Sequence, residues 1–253
     1  VRDAESDARF LSWIDGLERR HLAEITFPEV RRALQALSAL YVGRRERLAR
    51  GGALDGAGKR AAFAAFYGPL HFLVVRHVIR QLGLADPTPS RILDLGCGTG
   101  AAGAAWAQEA GVDCGVRGVD LHPWAVREAS WTYRTLGVRG RCVRGDVDRV
   151  EPAPADRGVV CAYVLNELPE PARDRVLERL LRAAARGVRV LVVEPIARRP
   201  VPWWSGWADR FVEAGGRDET WRFHEDLPDL VARLDRAARL DHSQLTARTL
   251  SVG

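Results

Sequence analysis

At 253 residues, with 47% hydrophobic and 28% charged side chains, the chain has material for one large α/β domain or a compact domain with an appendage. No uninterrupted apolar run of bilayer length and no secretory leader pattern is present, and Cys97, Cys114, Cys142 and Cys161 lie far apart without a C-x-x-C pair; these features argue against a membrane span, secretion, a zinc ribbon or a disulfide scaffold. The cysteine spacing leads us to expect a reduced, cytoplasmic protein, and a net charge of +5, mostly in the N-terminal third, gives it a basic surface that is either solvated or meets phosphate groups.

Residues 5–82 read as helices. Leu11, Ile14, Leu17 and Leu22, then Val30, Leu34, Leu37, Leu40 and Tyr41, recur every three or four residues, and Pro28 stands where a second helix begins. The glycine-rich stretch at 51–58, flanked by Arg44, Arg45, Arg47, Arg50, Lys59 and Arg60, is the strongest break. The helix that follows runs to about Leu82, with an interruption expected at Gly68-Pro69, and Asp86-Pro87-Thr88-Pro89 is a linker. This divides the chain into a helical N-terminal region, 1–86, and a second unit, 87–253.

In that second unit short apolar strands alternate with helices. Strands are expected near Ile92–Leu95, Val116–Leu121, Gly140–Arg144, Val159–Tyr163 and Val188–Glu194, with helices starting near Ala101, Pro123 and Pro171. Such alternation builds a parallel sheet covered on both faces. The end departs from the repeat: a Trp-rich stretch, 203–207, precedes a strand near Glu219–Phe223, a helix over Leu227–Ala238 and a last strand over Gln244–Val252.

The segment LDLGCGTG, residues 93–100, follows a strand and opens a helix, the place where open α/β sheets bind ligands. Gly98, Gly100 and Gly103 also fit the dinucleotide fingerprint GxGxxG, with Asp120 placed for a ribose. A nicotinamide cofactor is disfavoured because Asp94, just before the turn, repels a pyrophosphate and suits an ammonium group. Asp120, ending the second strand, suits a ribose diol, and Asp146, ending the third, suits the exocyclic amine of adenine. Ammonium, diol and adenine together describe S-adenosylmethionine. On these residues the chain resembles the class I S-adenosylmethionine-dependent methyltransferases, with LDLGCGTG, GVD and RGDV similar to their first three motifs. The resemblance implies a Rossmann-like seven-stranded sheet with helices on both faces and an N-terminal helical cap. It also implies cofactor contacts at Asp94, Gly96, Cys97, Gly98, Gly100, Asp120, Leu121, Asp146 and Val147.

The acceptor is expected beyond the fourth strand, where amino-methylating relatives carry Asn/Asp-Pro-Pro-aromatic. This chain has Asn166-Glu167-Leu168-Pro169 instead, so Asn166 is a candidate to hold an acceptor and Glu167 a candidate base, while Asn166 as a simple turn cap is the alternative. Glu194, ending the fifth strand, faces the same side. Phe66, Tyr67 and His71 are candidates to face the site from the cap. Trp203 and Trp204, beside Arg198 and Arg199, either stack on a substrate ring or pack the core. Cys161 is expected to be buried, and no His and carboxylate spacing calls for a metal.

TFPEVRRALQAL, AAFAAFYGPLHFLVVRHVI, AYVLNELPE and LVVEP are also similar to the ribosomal small-subunit methyltransferase-like family. That resemblance implies structured RNA, small-subunit ribosomal RNA in particular, as acceptor. The cysteine cluster that holds an iron–sulfur centre in mitochondrial members has no counterpart here. A small-metabolite methyltransferase and a non-catalytic cofactor-binding assembly factor remain the other readings.

Overall fold

The computed structural model describes residues 2–23, 25–43, 54–196 and 201–253. The chain order is α1 (Arg2–His21), α2 (Phe27–Gly43), α3 (Ala57–Ala62), a π-helical turn (Phe63–Tyr67), α4 (Gly68–Leu82), β1 (Arg91–Leu95), α5 (Ala101–Ala110), β2 (Gly115–Asp120), α6 (Pro123–Thr135), β3 (Arg139–Arg144), β4 (Gly158–Ala162), α7 (Glu170–Ala184), β5 (Arg189–Glu194), α8 (Pro202–Glu213), β6 (Arg217–Phe223), α9 (Asp229–Ala238) and β7 (Leu245–Val252). The seven strands form one sheet in the order β3-β2-β1-β4-β5-β7-β6. β1 to β5 pair in parallel, and β7 inserts antiparallel between β5 and β6. The strand order reverses direction at β1, between β2 and β4, so the loop after β1 opens into the crevice where such sheets bind ligands.

Strand composition follows position. β4 and β5 are central and buried on both faces, and they read as continuous apolar runs, Val159-Val160-Cys161 and Val190-Leu191-Val192-Val193. β3 is an edge strand of sequence RGRCVR, and its three arginines blunt an edge that would otherwise invite pairing with another strand. One face of the sheet is covered by α7 and α8. The other is covered by α4, α5, α6 and α9, with α1 and α2 joined to the same apolar core.

The N-terminal helices therefore share the core of the sheet. Trp13 is fully buried, its ring 5.8 Å from that of Phe72, and its indole N–H donates to Thr132 Oγ1 on α6 at 3.3 Å. Buried Glu128 of α6 accepts from Arg20 at 3.1 Å and pairs with His21 at 2.7 Å. Arg76 on α4, 7% exposed, joins Asp7 of α1 at 2.7 Å and Glu225 at 3.1 Å.

Two expectations for the N-terminal region change. Leu11 is 54% exposed, and the buried stripe of α1 is Phe10, Trp13, Ile14 and Leu17, because the aromatics outcompete Leu11 for the inward face. Gly68-Pro69 does not interrupt the helix. Pro69 lies just after the π-helical turn over Phe63–Tyr67, and the chain stays helical through it. The continuous helix over 57–82 is also long and apolar enough to cross a membrane, and 78% of its most apolar window is buried inside the fold. The side chains of Leu40 and Tyr41, and the loop arginines Arg44, Arg45, Arg47 and Arg50, lie outside the described residues.

Candidate active site at the carboxyl ends of the strands

β1 ends in a glycine turn whose backbone is left-handed at Gly96 (φ 69°), Gly98 (φ 51°) and Gly100 (φ 79°), and Gly100 caps α5. Gly96 illustrates the constraint: a Cβ there would come within 2.5 Å of the Val164 side chain, so only glycine fits both the dihedral and the space. The amides of Gly96 and Cys97 donate to Val119 O at 2.9 and 3.0 Å, tying the turn to β2. The π-helical turn lies directly above. The Phe63 ring stands 3.4 Å from where a Gly98 Cβ would be, and Thr99 Oγ1 is 3.1 Å from the same point on Gly68. An irregular helical turn at this place is in keeping with the frequent siting of π-bulges at functional sites.

The three strand-tip acids divide into two kinds. Asp120 is half-buried; its Oδ2 accepts from Gly98 N at 2.9 Å and its Oδ1 from His122 N at 2.8 Å, while burial pushes its carboxyl up. Asp146 accepts from Asp148 N at 3.1 Å and keeps 36% of its side chain exposed. Both are only partly buried. Asp94 is different: it is 1% exposed, and its Oδ2 accepts from Gly103 N at 2.9 Å and from the Tyr133 hydroxyl at 3.5 Å. Burial pushes it up to about 7. It anchors the first turn of α5 directly behind the glycine turn.

Among the other expected cofactor contacts, Leu121 is 55% exposed beside Asp120 and offers an apolar side chain to a base. Val147 turns its side chain into the core, leaving only its backbone to the site. Cys97 is buried, with its thiol 3.1 Å from that of Cys142. Cys161 is buried in β4, as expected.

Beyond β4 the chain passes through Tyr163, which holds a left-handed backbone (φ 60°), into a short 3₁₀ turn, Leu165–Glu167. A non-glycine residue in that region is strained and is held there by its surroundings. Buried Glu194 organises the turn: Oε1 accepts from Leu165 N at 2.9 Å and Asn166 N at 3.3 Å, and Oε2 accepts from Asn166 Nδ2 at 2.5 Å. Burial pushes Glu194 up to about 7. On its other side Asn166 Oδ1 accepts from the Trp203 indole at 3.2 Å. Asn166 is thus committed to Glu194 and Trp203, which fixes the turn that carries Glu167. Burial first, then the charges of Glu194 and Asp120, raises the Glu167 carboxyl to about 8.

The cap contributes a stripe of rings one helical turn apart. Phe63, Tyr67 and His71 follow one another with centroids 6.1 and 6.0 Å apart. His71 stacks on Tyr163 at 3.9 Å and 14°, and burial lowers it to about 3, so it is neutral. Burial raises Tyr67 to about 12. Phe66 does not face the site; it is fully buried, with its ring 5.2 Å from His242. Trp204 is core: it is 6% exposed, donates to Asp218 at 3.1 Å and lies under Arg248 at 4.0 Å. Trp203 reaches the site only through Asn166, with Arg173 over its ring at 5.2 Å. Arg198 and Arg199 lie outside the described residues. No group of three or more metal-ligating side chains occurs among the described residues. Phe63 and Tyr163 were not expected from the sequence; the spacing 63, 67, 71 was the available signal for the first.

Residues 92–187 match the family described as a methyltransferase domain. No curated protein matches the chain. Among solved structures, the mitomycin 7-O-methyltransferase MmcR is similar over 96% of this chain and 72% of its own, with 14% identity and a TM-score of 0.53. A candidate RNA methyltransferase from Pyrococcus horikoshii is similar over 89% and 98%, with 13% identity and a TM-score of 0.50. The tRNA (uracil-54, C5)-methyltransferase of Pyrococcus abyssi, with bound S-adenosyl-L-homocysteine, matches 70% of this chain at 15% identity and a TM-score of 0.43, and the chain spans only 37% of its length. At such identities these likenesses concern the fold.

Proposed function

We infer that this class I methyltransferase, whose methyl donor is S-adenosylmethionine, methylates an oxygen or nitrogen that gives up a proton, with Glu167 as the base. The observation that carries this reading is the placement of Glu167: a half-buried carboxyl raised to about 8, on a turn fixed by Glu194 and Asn166, close enough to feel the charge of Asp120. A base works best with a pKa near the working pH, and no base is needed where the acceptor has no proton to lose. The donor set fits the cofactor. Asp120 and Asp146 offer carboxylate oxygens to a diol and an amine, and exposed Leu121 offers an apolar contact to a base. When bound, S-adenosylmethionine supplies an electrophilic methyl group on a sulfonium.

The chain's own residues hold and shield the acceptor. Tyr163, stacked on His71, precedes the turn that carries Glu167, and Tyr67 extends the same run of rings; uncharged His71 adds no competing proton donor at neutral pH. Ordered, apolar walls favour displacement by fixing geometry and excluding water. Small-subunit ribosomal RNA is the acceptor implied by the resemblance of AYVLNELPE and the N-terminal segments, and it is supported by the sequence alone. Transfer of labelled methyl into a host-cell extract, followed by separation of RNA, protein and small molecules, tests the reading. Label in small-subunit RNA supports that acceptor; label in small molecules points to a metabolite. Label that persists undiminished with Glu167→Gln removes Glu167 as the base, and cofactor binding without any transfer favours an assembly factor.

A further inference from the structure

We propose that Cys97 and Cys142 are an oxidisable thiol pair, a modification site at which a hydroperoxide closes a disulfide and weakens cofactor binding. The effect on binding rests on the cofactor site assigned above; the formation of the bond does not.

The two sulfurs lie 3.1 Å apart although their residues are 45 positions apart in the chain. Cys97 sits in the glycine turn after β1 and Cys142 on edge strand β3, with β2 between them. What lets them meet is Gly118, which pairs with Cys142 in the β2–β3 register. A Cβ at Gly118 would stand 3.0 Å from the Cys97 sulfur and 3.2 Å from the Cys142 sulfur, so any side chain there would fill the space both thiols occupy. Both cysteines are free in this structure. Cys114 and Cys161 are buried, and neither forms such a pair among the described residues.

Access sets the order of events. Cys142 is half-buried on the sheet edge, while Cys97 is 6% exposed. The hydrogen bond to Cys142 and burial push the Cys97 thiol well up, so it waits protonated. The Cys142 thiolate attacks the hydroperoxide, the O–O bond breaks, and a sulfenic acid forms with loss of water or alcohol. The Cys97 sulfur then attacks the Cys142 sulfur, and the hydroxyl leaves with the Cys97 proton as a second water. Two thiols lose two electrons, and one hydroperoxide takes them up.

Closure to a disulfide near 2.05 Å brings the sulfurs about 1 Å closer. β3 is held along six residue pairs by β2, whereas the glycine turn is tied to β2 by only the Gly96 and Cys97 amides at Val119 O, so the turn is the part that yields. Gly98, next to Cys97, donates to Asp120, the acid assigned to the ribose. The strained turn therefore distorts the site that receives the cofactor.

The test treats the reduced chain with hydrogen peroxide, blocks remaining thiols, and maps peptides without reduction. The expected result is a loss of two hydrogens, a linked peptide joining Cys97 to Cys142, reversal by dithiothreitol, and no link in Cys142→Ser or Cys97→Ser. Gly118→Ala, which wedges the sulfurs apart, should suppress the link as well. A linked peptide containing Cys114 or Cys161, or oxygen addition at single cysteines with no link, overturns the proposal. Calorimetric titration with S-adenosylmethionine should show affinity about tenfold lower for the oxidised wild-type chain, a change of about 1.4 kcal/mol, and no change on treating Cys142→Ser. A complete disulfide with unaltered affinity overturns the regulatory half. Failure of the reduced chain to bind S-adenosylmethionine overturns the cofactor assignment, with the disulfide read independently by mass.

Discussion

Asp94, Glu167 and Glu194 each hold a proton more tightly in the fold than free in water, chiefly because burial penalises the charged form, with values of about 7, 8 and 7. In the unfolded chain these groups lose their protons near their ordinary values. From there up to the raised values the folded state binds more protons, so stability falls as pH rises. His71 acts in the opposite direction below its ordinary value, because its folded value is lowered to about 3 and acid favours the unfolded chain. The ligand-free protein should therefore lose stability between about pH 6.5 and about pH 8.5, and Glu167→Gln should flatten the decline. Denaturant midpoints across that range check this; a midpoint that rises with pH contradicts the burial of these carboxyls. In turnover the same group gives the reverse slope. A base must be ionised, so the rate should rise with pH towards about 8 and that limb should vanish in Glu167→Gln.

Among the elements, α1 is docked on α6 by few but well-defined contacts. Glu128 is buried and receives both Arg20 and His21, and Trp13 reaches Thr132 one turn further along α6. Glu128→Gln removes the buried charge that receives Arg20 and His21; because Arg20 keeps 42% of its side chain exposed, the change is expected to cost on the order of 1 kcal/mol. Hydrogen exchange should then speed up in α1 while β1, β4 and β5 stay protected; uniform exchange would show that α1 opens only with the whole fold.

The elements also show what the sequence displays and what it conceals. The seven strands lie within a few residues of their expected places because apolar runs and turn residues mark them locally. The glycine turn was legible for the same reason: left-handed dihedrals and close contacts demand glycine and leave a visible pattern. Leu11 misled because a three-and-four spacing identifies a face but does not decide which neighbouring residue claims its centre. Tyr163 escaped because its role depends on a stack with His71, which lies 92 residues earlier. The substrate expectation for Trp204 failed for a similar reason, since its partners Asp218 and Arg248 arrive from β6 and β7.

For the molecule as a whole, the division at residue 86 marks a change of pattern more than a break in packing. Phe10, Trp13, Leu17, Leu34 and Leu37 belong to the same buried cluster as Trp106, Ala105 and Tyr133 of the sheet-covering helices. Trp13→Ala should cost about 3–5 kcal/mol, the range for truncating a buried aromatic. The loss should appear in one transition that also carries the sheet, read by coincident tryptophan fluorescence and circular dichroism. Two separated transitions would mean that residues 1–86 fold as their own unit. The shared core also places the cap over the cofactor turn: Phe63, Tyr67 and His71 stand on a helix whose other faces are buried against α5 and the cluster around Trp13.

We place S-adenosylmethionine on the open side of the glycine turn, at Asp120 and Asp146. Calorimetric titration of the wild-type chain and Asp120→Ala with S-adenosylmethionine tests it most directly. Losing a charged hydrogen-bond partner costs about 1.5–3 kcal/mol, so the wild type should bind and Asp120→Ala should bind at least about tenfold more weakly, with the fold retained. No binding to the reduced wild type, or equal affinity in the two proteins, would contradict it.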